Sequence, residues 1–235
     1  MILGVDALST PTGQFDSILE ALLEIVAERG LEKATVREVA AAAEVAIGTV
    51  QYYFPTKESM LSAAFAEVVD HIRARVGAIS LGDDPHANLT AVLHQLLPLD
   101  DRRSREVRIQ LAFAAKAATT PSIAILQRMV LDDVRRSIAT AFGVAWTQPA
   151  NSHRCSLAAA AVLAAVDGLA LHAISADLDP GQGQLVAALD LILTAILDQP
   201  TDPAAGCPSA SRAAEDVHST DVAGSPTISR VGPLL

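Results

Sequence analysis

The sequence predicts an all-α protein, and three observations carry that prediction. Apolar residues make up 51% of the chain, much of the surplus alanine, while aromatics are only 3%. The apolar positions recur at i, i+3, i+4 and i+7, one face of a helix, with few of the β-branched or aromatic alternations that strands use. Helix punctuation (Thr and Asp caps, Pro at first positions, Gly beyond ends) falls between these runs.

Taken in order, residues 1–13 are expected to form a mobile arm. A first helix at about 14–29 places Phe15, Ile18, Leu19, Leu22, Leu23 and Val26 on one face, and Gly30 suits the position just past its end. Residues 35–57 read TVREVAAAAEVAIGTVQYYFPTK, two short helices around a tight turn. Thr35 and Glu38 have the spacing of a capping box, hydroxyl to backbone N–H and carboxylate back again. Val36, Val39, Ala40 and Ala43 form the apolar face of the first short helix, and Glu44, Val45 and Ala46 make the turn. The second is expected over 47–54, ending against Pro55. The pair is a helix-turn-helix arrangement, spanning 35–54.

At about 100° per residue, Ile47, Val50 and Phe54 share one side of that second helix. Gly48, Thr49 and Tyr52 lie opposite, with Gln51 and Tyr53 on the flanks. A solvated helix face normally carries charge. This one offers a glycine, a hydroxyl, an amide and phenols, groups suited to close approach and hydrogen bonding. Two small core helices with an incidental polar face would fit the spacing alone.

Thr56 caps a long fourth helix with Lys57 in its first turn and a stripe of Met60, Leu61, Ala64, Phe65, Val68, Ile72 and Val76. After a break at 77–85, a fifth helix is expected over 86–97, stopped by Pro98. A sixth covers about 101–118, its first half carrying Arg102, Arg103, Arg105 and Arg108; acidic neighbours make a solvated or interdomain face the commoner explanation. A seventh starts with Thr120 as cap and Pro121 first, and ends at Phe142 and Gly143. The last two, 152–174 and 184–197, are separated by SADLDPGQG. Their small and apolar residues suit an isologous dimer interface. Residues 199–235, rich in Ser, Pro, Ala, Asp and Thr, read as a disordered tail.

The stretch GLEKATVREVAAAAEVAIGTVQYYFPTKESMLSAA resembles the DNA-binding domain of TetR-family transcriptional regulators. The resemblance rests on Gly30, Thr35, Val36, Val39, Ala40, Val45, Gly48, Thr49, Tyr53, Phe54, Lys57, Glu58 and Leu61 and covers about residues 14–71. Weaker similarity to the BetI-like subgroup continues in LLPLDDRRSREVRIQLAFAAKA and AVLAAVDGLALHAI. The resemblance implies a three-helix DNA-binding domain (14–56) joined through helix 4 to a larger helical effector-binding and dimerisation domain (57–198), about nine helices in all. It implies that Thr35 and Arg37 meet phosphates, that Gly48, Thr49, Gln51 and Tyr52 enter the major groove, and that Tyr53 and Lys57 bind the backbone. Ile47, Val50 and Phe54 would hold the helix in place. Two positions depart from the pattern. Ala46 stands where a Ser or Thr often caps the recognition helix, and Tyr53 where histidine is frequent.

The expected partners are therefore double-stranded operator DNA, a second copy of the chain, and a small, mainly apolar effector. His94, Phe113 and His172 are the candidates for facing an effector cavity, with core or half-buried side chains the alternative for each. The net charge of −10 excludes a general nucleic-acid coat and confines DNA binding to selective sites. Glu20, Glu24 and Glu28 form one i, i+4 ladder on the first helix, which can face away from a duplex.

No His or Cys spacing suits a metal, and no nucleophile, phosphate-loop or dinucleotide motif is present, so neither enzyme activity nor a cofactor is expected. Two isolated cysteines and no basic leader suit the cytoplasm. The apolar run 157–166 is too short to span a membrane. The reading is a ligand-responsive repressor released from a pseudo-palindromic operator. An activator on the same scaffold, or a helical dimeric adaptor that no longer binds DNA, stays open.

Overall fold

The computed structural model describes residues 11–175 and 181–199, so the arm, the tail and residues 176–180 lie outside the described residues. The described residues contain helices and no strand. They are α1 (Pro11–Arg29), a 3-10 turn (Leu31–Lys33), α2 (Val36–Ala42), α3 (Ile47–Tyr53), α4 (Lys57–Gly77), α5 (Pro85–His94), α6 (Asp101–Ala117), α7 (Pro121–Trp146), α8 (His153–Ser175) and α9 (Gly181–Leu197). α1 starts three residues before expectation because Pro11, which lacks an N–H, is suited to a first helical position. Gly30 ends it at φ 82°, a conformation that favours glycine.

Two apolar cores form. The first joins α1–α4 to parts of α6 and α7: Ile18, Leu22, Val26, Val39, Val50, Met60 and Val68 meet Ile109, Phe113 and Ile123. The helix-turn-helix thus shares its core with the C-terminal part of the chain, and the packing does not divide at residue 56. The second core joins α5, the C-terminal half of α7, α8 and α9 through Leu89, Leu93, Phe142, Val162, Leu189 and Leu193.

Helix boundaries depart from expectation at identifiable places. α5 stops at His94 rather than Leu97, and Gln95 to Leu97 continue as turn bonded to Val92, Leu93 and His94 carbonyls. α7 runs through Phe142 and Gly143 to Trp146, ending at Thr147 in the left-handed region, φ 53°. Gly143 is a packing site and not a stop. A Cβ there would lie 2.8 Å from the Gln148 carbonyl oxygen and 3.2 Å from Ala150 backbone atoms. Thr120 occupies the cap position of α7 but its side chain makes no cap hydrogen bond.

α8 covers the expected helix 152–174 to within a residue, and its apolar stretch is longer than the run 157–166. It is a 23-residue helix, long and apolar enough by length and composition to cross a membrane, yet only 33% of its apolar window is buried in the chain. Cys155, Ala159, Val162 and Val166 face the second core, while Leu157, Ala160, Ala161, Ala164 and Leu171 are exposed.

Candidate nucleic-acid interface

The turn between α2 and α3 sets how α3 is presented. Ala43 caps α2, Glu44 follows at φ 55°, the Glu44 N–H donates to Ala41 O (3.4 Å) and the Val45 N–H donates to Ala40 O (3.0 Å). This pair of bonds is a Schellman closure, and it turns Val45 back onto the first core. The residue in the left-handed position is a glutamate, which costs about 1–2 kcal/mol relative to glycine. The sequence signal for this motif, a glycine, is missing. Ala46 then sits at the cap of α3 with φ −68° and ψ 146° and has no side-chain cap bond, the consequence expected of alanine.

The capping box of α2 is half formed. The Glu38 N–H donates to Thr35 Oγ1 at 3.2 Å. The Glu38 carboxylate does not return; it pairs with Arg29 at 2.8 Å, and the Thr35 N–H donates to Lys33 O instead. A charged guanidinium is a stronger partner for a carboxylate than a neutral amide. α4 carries the full box: Thr56 Oγ1 accepts from the Ser59 N–H at 3.0 Å, and Ser59 Oγ accepts from the Thr56 N–H at 3.1 Å. That secures the first turn of α4, which carries Lys57.

On α3, Val50 and Phe54 are buried at 0% and 4% exposure, as the wheel requires. Ile47 is not. It is 49% exposed as the first residue of the helix, with no helical turn before it, while Val45 of the preceding turn packs, partly buried, against the core. Gly48, Gln51 and Tyr52 are exposed, Tyr52 at 80%, and Thr49 and Tyr53 are half-buried. Tyr53 meets the edge of Phe15 at 5.4 Å between ring centres and Tyr52 at 5.1 Å, so aromatic contacts brace the exposed phenol of Tyr52. Thr35 and Arg37 are exposed at the start of α2.

Gly48 has no internal reason to be glycine. A Cβ built there meets nothing within 4 Å and its φ is ordinary, yet glycine in a helix costs about 1 kcal/mol relative to alanine.

Electrostatics around the face are mixed. Lys57 Nζ lies 3.7 Å from Glu32, which also pairs with Lys116 of α6 at 3.2 Å. The hydrogen bond from Lys116, its charge and that of Lys57 hold the Glu32 carboxyl below its ordinary range. Asp16, Glu20, Glu24 and Glu44 line a shallow open groove between α1 and the end of α2, to which no α3 residue contributes. Three of the four arginines of α6 are paired within the fold, Arg103 with Asp100 at 2.8 Å, Arg102 with Glu106 at 3.4 Å and Arg105 with Glu20 at 3.2 Å.

The three effector candidates do not come together. Phe113 is fully buried in the first core, stacked on Phe65 of α4 at 4.3 Å and 8°. His94 bonds Asp190 of α9 at 2.7 Å, and His172 is exposed on α8. Their placement corrects the expectation that they face one cavity: Phe113 seals the α4–α6 contact, and His172 lies on the outer side of α8. Beside that contact, Glu106 is the buried charge among the described residues. Arg75 of α4 clamps it at 2.9 and 2.6 Å, and His71 approaches at 3.5 Å. Sequence spacing alone does not reveal that pair, since its members are far apart in the chain.

Comparison with known proteins agrees with this arrangement. Residues 18–64 match the family described as bacterial regulatory proteins, tetR family, and residues 85–198 match the BetI-type transcriptional repressor C-terminal family. The chain is 27% identical over 164 residues to the HTH-type transcriptional regulator PksA of Bacillus subtilis, covering 69% of this chain and 78% of PksA. A transcriptional regulator from Rhodococcus sp. Rha1 has a solved structure that is 40% identical, with 77% of this chain and 95% of that one aligned at a TM-score of 0.71. A regulator from Saccharomonospora viridis, solved in complex with choline, shares the fold at 19% identity and a TM-score of 0.67, over 78% of this chain and 96% of that one. With its reading helix, its capped α4 and both family halves in place, the chain belongs to the TetR family of DNA-binding transcriptional regulators.

Proposed function

We propose that the protein is a homodimeric, cytoplasmic repressor that leaves a pseudo-palindromic operator when a small, mainly apolar molecule binds its C-terminal half. It acts by binding and not by catalysis. The observation that carries the DNA reading is Gly48: a helical glycine with empty space around it makes sense when the neighbour that approaches it is outside the chain. Gly48, Gln51 and Tyr52, with Thr49 at their edge, face the base edges, Thr35, Arg37 and Tyr53 meet the backbone, and Lys57 binds phosphate from the first turn of α4.

Two copies joined through residues 152–174 and 184–197 would set their reading helices about 34–36 Å apart, one turn of duplex. The exposed apolar side of α8 and the 72% exposed Leu191 of α9 support that face. An effector that prefers another geometry of α4 against α6 strains the Phe65–Phe113 stack and the Arg75–Glu106 clamp. It thereby moves the two heads off that spacing, and the coupling equals its difference in affinity for the two states.

Selection of bound duplexes from genomic DNA, followed by fluorescence anisotropy, tests this. Tyr52→Ala and Lys57→Ala should each weaken binding by about 1–3 kcal/mol, with only Lys57→Ala making the salt dependence shallower. An absence of enriched, salt-sensitive sites would point to an adaptor. Transcript levels in a deletion strain give the sign of regulation.

A further inference from the structure

We infer that Ile47 reads the 5-methyl group of a thymine in each operator half-site, an inference that rests on the DNA reading above. Three observations lead there. Ile47 is half exposed although the helix wheel assigns it to the packed side, while Val45 of the turn is the partly buried residue packed against the core. It adjoins Gln51, one turn on, and with Gly48 and Tyr52 makes a continuous exposed arc of about 140° at 100° per residue. It is also the first residue of α3, and the N-terminal residues of a recognition helix are those that reach base edges.

The chemistry then leaves one target. A sec-butyl side chain neither donates nor accepts a hydrogen bond, so it cannot tell apart the donor and acceptor patterns of the four bases. The thymine methyl is the apolar feature of the major-groove edge. Burying that methyl against Ile47 removes apolar surface of both from water, whereas cytosine at the same place presents an amino group that would lose its water without a partner. Gln51 beside it supplies the polar half of the reading, an amide able to bond an adjacent adenine in bidentate fashion. The arc thus combines one apolar and one amide reader, with Gly48 letting the helix approach closely enough for both.

The test uses the full-length protein and a duplex that it has itself enriched from a random library. Each thymine of a half-site is replaced in turn by deoxyuracil, which deletes the methyl and nothing else, and affinities are measured by anisotropy. For the wild type, one thymine per half-site should give about a three- to five-fold loss, the value of one buried methyl group. In Ile47→Ala that loss should vanish, and in Ile47→Val most of it should remain. Unchanged thermal midpoints of both variants separate reading from folding. A uracil scan whose losses are the same in wild type and Ile47→Ala at every thymine overturns the inference while leaving the DNA reading intact. Failure to enrich any duplex overturns the DNA reading, and this inference with it.

Discussion

Among the described residues, the exposed surfaces of α3 and of the α8–α9 pair differ in make. The α3 surface is small and varied, with Ile47, Gly48, Gln51 and Tyr52 each bringing a different group. On α8 and α9 the surface is longer and mostly small or apolar, with Leu157, Ala160, Ala161, Ala164, Leu171 and Leu191 exposed and Asp167 and His172 among the polar exceptions. A base edge presents a different pattern at each step, so a surface that reads it needs unlike groups side by side. A second copy of the same helix presents the same smooth face, so small residues that let backbones approach suffice. Behind α3 lies the first core, closed by the parallel Phe65–Phe113 stack, while α8 sinks one side into the second core and leaves the other bare.

The largest contrast should appear on truncating one residue from each region. Phe113→Ala should lower stability by about 3–5 kcal/mol, since a fully buried ring is lost from the contact between α4 and α6. Leu191→Ala should leave the isolated protomer within about 0.5 kcal/mol, because that side chain is 72% exposed there. Urea unfolding at low protein concentration measures both. Next, Ala164→Glu should leave the protomer folded but place like charges across the dimer axis. Sedimentation should then show monomers, and operator affinity should fall by about a hundred-fold or more as the two half-sites cease to be linked.

A smaller effect, in the opposite direction, is expected on the α3 side. Ala46→Ser restores a cap hydroxyl to a residue already in cap geometry and should add about 1 kcal/mol to stability. The smallest is a pH effect in the linker before α6. Burial raises the Asp100 carboxyl, but the Arg103 N–H and the charges of Arg103 and Arg75 outweigh it and hold its pKa below the ordinary range. Its stabilisation is present above the unfolded value and is lost as pH falls through the lower folded value. Thermal midpoints of wild type and Asp100→Asn should therefore differ at pH 6, and the difference should start to shrink near the unfolded value of about 4 and close as pH falls through the lower folded value.

These regions were not equally legible beforehand. The capped start of α4, the buried positions Val50 and Phe54 and the helical order follow from local spacing, which depends on residues within a turn or two. Ile47 escaped because a wheel treats a helix as endless, whereas a first residue has no neighbour beyond it. Gly143 misled for a related reason: a glycine reads as a stop unless the loop packed on it, Gln148 to Ala150, is known. Glu44 hid a Schellman turn behind a residue that seldom takes it. The Arg75–Glu106 clamp and the true sites of His94, Phe113 and His172 depend on tertiary packing, and no periodicity carries that.

Glu32 gives the DNA contact an unexpected thermodynamic signature. On the proposed contact, Lys57 would meet phosphate only after leaving a carboxylate that it already faces at 3.7 Å, so the exchange would be between two anions of the complex. Part of the counter-ion release that normally favours association is thereby forfeited. Glu32→Gln should therefore tighten binding and steepen its salt dependence by less than about one ion per protomer, since the pair with Lys57 is exposed and Glu32 also holds Lys116. On that proposal, the protein would bring its own counter-ion to the groove.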